Sequence, residues 1–89
     1  GWVKISGYVT RKPTVIAEDG KTEYLSFVAN DDSGKIRIVA SGETADRLQK
    51  MFVESSAKTN VSAIGTVEFD SFGKPRIRIH LPKHVELTE

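Results

Sequence analysis

The chain of 89 residues has no cysteine. Disulfide scaffolds and thiolate-held zinc are therefore excluded. No apolar run is long enough to cross a bilayer as a helix. The opening has no basic-then-apolar stretch of the kind that directs secretion. An intracellular home away from membranes is the default expectation, and the start at Gly1 rather than Met suggests a trimmed or excised domain. Charge of one sign is also scarce, because 13 basic and 12 acidic residues leave a formal net charge of +1. Sequence-specific duplex binders are usually more basic. Any anionic partner would need cations gathered on one face, with the acids elsewhere. Catalytic signatures are missing too: there is no Ser-His-Asp order, no Gly-rich phosphate loop and no metal motif. His80 and His84 are separated by Pro82 and lack further ligands. Asp31-Asp32 adjoins Ser33-Gly34, where acids usually serve turns. No enzyme, cofactor or metal is expected.

What is present fits a single domain over residues 1–89. Val3, Ile5, Gly7 and Val9 alternate with Trp2, Lys4, Ser6 and Tyr8, which predicts a first strand with one buried face. Pro13 interrupts it. Val15-Ile16-Ala17 and Tyr24–Ala29 flank Glu18-Asp19-Gly20-Lys21, a strong hairpin signal. In the second strand Leu25, Phe27 and Ala29 are assigned to the core, with Tyr24, Ser26 and Val28 outward. After a turn at Asp31–Gly34, the third strand points Ile36, Ile38 and Ala40 inward and Lys35, Arg37, Val39 and Ser41 outward. The period then changes. Ala45, Leu48, Met51 and Phe52 form one apolar stripe on a helix spanning roughly Glu43 to Glu54, which the stretch Ser55–Thr59 ends. The fourth strand turns Val61, Ala63, Gly65, Val67 and Phe69 to one face. The fifth turns Ile77, Ile79 and Leu81 inward and Arg76, Arg78 and His80 outward. Val85 and Leu87 pack a short last segment.

One helix between the third and fourth of five strands is the arrangement of the OB-fold, a small Greek-key barrel. Gly7 and Gly65 fall mid-strand, where a small barrel must coil and a side chain would crowd it. A different five-stranded barrel, or an open sheet with one helix, is the alternative.

The most informative stretch runs from Phe69 to His80. A strand enters a turn carrying Phe72 and Lys74, and leaves with Arg76 and Arg78 at alternate positions. Single-strand nucleic-acid clamps combine such rings, on which bases stack, with cations that track phosphates. Phe72 is either a stacking ring or a cap folded back on the barrel. Lys35, Arg37, Lys74, Arg76 and Arg78 line one groove, with no acid among the outward positions considered, or else form two ordinary solvated faces. Arg11 and Lys12 precede Pro13 in a loop suited to phosphate contact. Tyr8 and Tyr24 point outward, to stack a base or cover a subunit contact. Trp2 reads as a plug or oligomer contact rather than a stacking ring. Outward Ile64 hints at a partner surface.

The run from Val3 to Pro13 resembles the opening of bacterial single-stranded DNA-binding proteins: alternating aliphatics, a glycine, another aliphatic, then basic residues and a proline. Leu25-Ser26-Phe27-Val28 is similar to the family's second-strand run. Ile36–Gly42 falls where its third strand ends in glycine, and Val61–Val67 resembles its fourth. The resemblance spans nearly the whole chain. It implies single-stranded DNA binding in replication, recombination or repair, a homodimer or tetramer, and replication proteins as further partners. The departures are specific. Lys35 and Ser41 stand at two third-strand positions where the family carries stacking aromatics, the Asp31–Gly34 turn is too short for another, and only Phe72 matches an aromatic of the loop after the fourth strand. The family's acidic-tipped tail has no counterpart here. The chain resembles a divergent or reduced relative, and tail-less primosomal replication protein B is an equally fair comparison. A protein-interaction adaptor in a replication complex and an RNA-binding OB module are the rival readings.

Overall fold

The computed structural model describes residues 1–18, 22–55 and 58–88. The elements follow in the order β1 (Trp2–Val9), β2 (Thr14–Glu18), β3 (Thr22–Asp31), β4 (Gly34–Ser41), α1 (Gly42–Val53), β5 (Thr59–Phe69), β6 (Pro75–Arg78), a 3-10 turn (Pro82–His84) and β7 (Val85–Thr88). The hydrogen-bonded order β1-β3-β4-β6-β5 returns to β1, so five strands close a barrel with α1 between its third and fourth strands. This is the expected OB architecture. The two remaining strands are continuations of barrel strands. β2 follows Pro13 and pairs β3 from Thr14↔Ser26 to Glu18↔Thr22. β7 follows Pro82 and pairs β5 from Asn60↔Thr88 to Ala63↔Val85. Proline cannot donate to a ladder, so each break falls where the strand must bend away. The Asp19-Gly20 turn and the Ser56-Ala57 part of the helix exit lie outside the described residues.

The core follows the predicted alternation. Val9, Leu25, Phe27, Ala29, Ile38, Ala40, Val61, Ala63, Ile77 and Ile79 are buried, and α1 closes the barrel with Leu48 and Phe52. The Phe27 and Phe52 rings meet at 4.8 Å in a tilted pair, the geometry aromatic quadrupoles prefer. Gly7 and Gly65 sit where strands cross closely. A Cβ on Gly7 would strike the Asn30 carbonyl oxygen, and one on Gly65 would strike the Arg78 carbonyl oxygen and the Ile77 side chain. Among the described residues no helix is long and apolar enough to cross a membrane.

Some placements differ from the alternation rule. Val67 and Phe69, assigned inward, are exposed. β1 begins at Trp2, opposite Thr66, so beyond Thr66 β5 has no β1 neighbour, while its other partner β6 stays paired to β4 as far as Arg76. Leu81 is also exposed, because β6 ends at Arg78 and the chain bends into the 3-10 turn. Conversely Ser26 and Val39, assigned outward, are buried. Val39 pairs with both Ser26 and Arg78, and long arginine side chains from the neighbouring positions cover this part of the outer face.

Candidate nucleic-acid interface

Directly paired residues present their side chains on one face of a sheet, so the registers define the outer surface of β5, β6, β4 and β3. One row runs Trp2–Thr66–Arg78–Val39–Ser26. The next runs Glu68–Arg76–Arg37–Val28. Two strands distant in sequence, β4 and β6, lie parallel at the centre. That pairing brings Arg37, Arg76 and Arg78 together, as the reading of a shared basic face requires.

Among the described side chains of these rows, the acid is Glu68. Its carboxylate accepts from Arg76 Nε at 2.6 Å, and from Arg78 Nε at 2.7 Å and a terminal Arg78 nitrogen at 3.1 Å. These charge-assisted bonds, those of Arg78 first, hold the Glu68 pKa down to about 2 against the opposing effect of burial. Arg78 also donates to Ser41 Oγ at 2.8 Å. Arg76 is only 9% exposed and lies 5.4 Å over the Tyr24 ring, a cation–π contact. No acid stands among the outward positions of β4 and β6 themselves, but Glu68 of β5 joins their face through its pairing with Arg76. Arg76 and Arg78 are bound into a structural network, and Tyr24 forms part of its floor. Sequence parity places Glu68 outward, and a turn after Phe69 sets it opposite Arg76 in the hairpin. Those two facts together are the signal for the pairing.

The remaining cations are placed differently. A groove of about 410 Å³ lies between the β1–β2 loop and the β3–β4 face, with Arg11, Lys12, Lys35 and Arg37 in its lining. Arg37 is steadied by a 2.6 Å bond to Ser26 Oγ. Lys12 is committed elsewhere: its ammonium donates to the carbonyl oxygens of Phe52 at 2.5 Å and Ser55 at 3.0 Å. That is a cation capping the C-terminal end of α1, where the helix dipole favours it. Among the described residues, Arg11, Lys35, Arg37 and Lys74 make no ion pair.

The β5–β6 arm supplies the aromatic. Asp70 organises its turn: the Asp70 carboxylate accepts from the backbone N–H groups of Phe72 at 2.8 Å and Lys74 at 2.9 Å. Those bonds, that of Lys74 first, depress its pKa. With the backbone satisfied in this way, Phe72 stands 87% exposed rather than folded onto the barrel. Phe69, 67% exposed, adds a second ring on the arm, one that alternation assigns to the core.

Tyr8 lies at the edge of this face, in the row that runs through Asn30 to Lys35. It carries Lys58 at 4.7 Å over its ring and borders a different groove, of about 510 Å³, whose charged lining residues are Asp31, Asp32 and Glu86. Three carboxylates there disfavour a phosphate chain. Asp31 serves its turn, accepting from Ser33 N–H at 2.8 Å, Ser33 Oγ at 2.7 Å and Gly34 N–H at 2.9 Å.

No protein-family profile matches the chain, and no curated protein matches it in sequence. Its fold does have solved counterparts. The SSB domain of a Synechococcus sp. protein superposes with a TM-score of 0.69 at 15% identity, over 99% of this chain and 93% of that one. The resemblance read in the sequence is thus met by a shared OB barrel.

Proposed function

We propose that the chain binds single-stranded DNA along the β3–β4 face, between the β1–β2 loop and the β5–β6 arm. The observation that carries this reading is the segregation of charge in a chain of net +1. Arg11, Lys35 and Arg37 meet at one groove and Lys74 stands on the adjoining arm. Arg76 and Arg78 are reserved for the framework. The exposed cations contact phosphates, each contact releasing counterions. Phe72 stacks a base, worth roughly 1–3 kcal/mol. The Synechococcus neighbour is an SSB domain, which agrees with this reading, as does the resemblance of the strands. Service in replication, recombination or repair, and assembly into a homo-oligomer, follow from the same resemblance.

Fluorescence anisotropy with labelled oligo-dT tests the proposal. Binding is expected at low salt, weaker at high salt, and about 5-fold or more weaker in Phe72→Ala. Phe72 buries almost nothing, so the variant keeps its melting temperature. Unchanged affinity in Phe72→Ala would remove the stacking role. A parallel titration with oligo-U separates DNA from RNA preference, since nothing in a stacking groove by itself reads the 2′-hydroxyl.

A second reading is favoured by one feature. Val67 and Phe69 expose apolar surface on the inner side of the arm, away from the arginine network. An adaptor that docks a replication protein would use that side. Absence of oligonucleotide binding at micromolar protein and low salt would promote it.

A further inference from the structure

We infer that Trp2 is a second base-stacking platform, on the opposite side of β6 from Tyr24, so that a bound strand continues from the β3–β4 groove across Arg78 to the indole; this rests on the single-strand reading above. The sequence alone makes Trp2 a plug or an oligomer contact. At 60% exposure it plugs nothing. Nor is it a loose end of the chain, because β1 pairs it directly with Thr66. The His80 ring lies 5.3 Å from the indole, tilted by 53°, and the His84 ring 5.7 Å away, edge-on at 82°. His80 is itself fixed, with Nε2 2.7 Å from Thr66 Oγ1. A large ring held by two neighbours and left open to solvent loses little freedom when a base stacks on it. Aromatic platforms gain affinity for single strands in this way.

The surroundings suit a nucleic-acid strand. Thr66 pairs with Trp2 on one side and Arg78 on the other, which sets the indole about 10 Å, two strand spacings, from the arginine network. Tyr24 and the groove beyond it lie on the order of 20 Å from Trp2 along the same surface, four strand spacings away. OB-fold sites take roughly 4–16 nucleotides, so a strand of the upper length reaches both. Lys4 and Lys83 are exposed near this end, and Glu68, the acid adjoining the row on β5, is held by Arg76 and Arg78. The outer row between the groove and the indole runs through Ser26, Val39, Arg78 and Thr66.

Trp2 is the one tryptophan of the chain, so its emission reports on this site alone. The test titrates the full chain with oligo-dT of about 16 nucleotides, reading anisotropy and tryptophan emission together. Saturable quenching with the anisotropy midpoint is expected. Trp2→Ala is expected to weaken binding about 5-fold or more, and Trp2→Phe to keep most of the affinity. Anisotropy that rises while emission stays constant overturns the inference but leaves the groove reading standing, and so does Trp2→Ala binding as tightly as the parent. If Trp2→Ala alters the sedimenting mass without changing the affinity, Trp2 belongs to a contact between copies, which also overturns it. No binding by the parent chain overturns both readings.

Discussion

Two arginines with the same parity and spacing as phosphate-tracking residues, Arg76 and Arg78, are both held by Glu68. Its pKa of about 2 in the folded chain lies below the ordinary 4.5. A depressed carboxyl stabilises the fold above its unfolded pKa and loses that contribution as pH falls through the folded value. Denaturant titrations of the parent and Glu68→Gln should therefore differ most above pH 4.5, and the gap should close as pH falls towards 2. A constant gap would mean that the ion pairs contribute nothing. Lys12 makes the complementary point. In sequence it is a reasonable phosphate contact, because nothing local shows that the distant end of α1 lies beside the loop. Lys12→Ala should lower stability by about 0.3–1 kcal/mol through loss of the helix-end cation. Its oligonucleotide affinity should hardly change, whereas Lys35→Ala should lower both affinity and salt dependence.

The β5–β6 arm shows where alternation stops being informative. Period two tells which residues share a face, and it groups Ala63, Gly65, Val67 and Phe69 together correctly. It cannot tell where the opposite wall of the barrel ends. That depends on β1 starting opposite Thr66, a non-local register. Phe69 therefore reads as core in the sequence and is a surface ring in the fold. The same limit explains Val39, whose outward face is covered by arginines from β4 and β6. Those strands become neighbours only through the parallel pairing that closes the barrel. The barrel strands and α1 are legible because their apolar periods are strong, and Gly7 and Gly65 are legible as crowding points. Gly65→Ala tests that crowding. Its Cβ would meet the Arg78 carbonyl at the base of the arm, so the variant should lose about 1–3 kcal/mol of stability, measured by chemical unfolding. Equal stability would show that β5 and β6 can separate freely there.

For the molecule as a whole, near-neutral charge is not an argument against an anionic ligand, because the acids near the proposed path are either paired or gathered elsewhere. Glu68 is neutralised, Asp70 and Asp31 bond their own turns, and Asp31, Asp32 and Glu86 line the groove beside Tyr8. The sequence shows the basic residues but not which of them are already engaged, since engagement depends on contacts between strands far apart in the chain. Of the groove and arm cations among the described residues, Arg11, Lys35, Arg37 and Lys74 make no ion pair and are left for phosphates. Each neutralised phosphate of a single strand contributes about 0.7 to the salt slope. The most direct test is the affinity for oligo-dT by anisotropy across a salt series. A log–log slope of about −3 is expected, shallower in Lys35→Ala and unchanged in Lys12→Ala. No binding at low salt and micromolar protein, or a slope near zero, would contradict it.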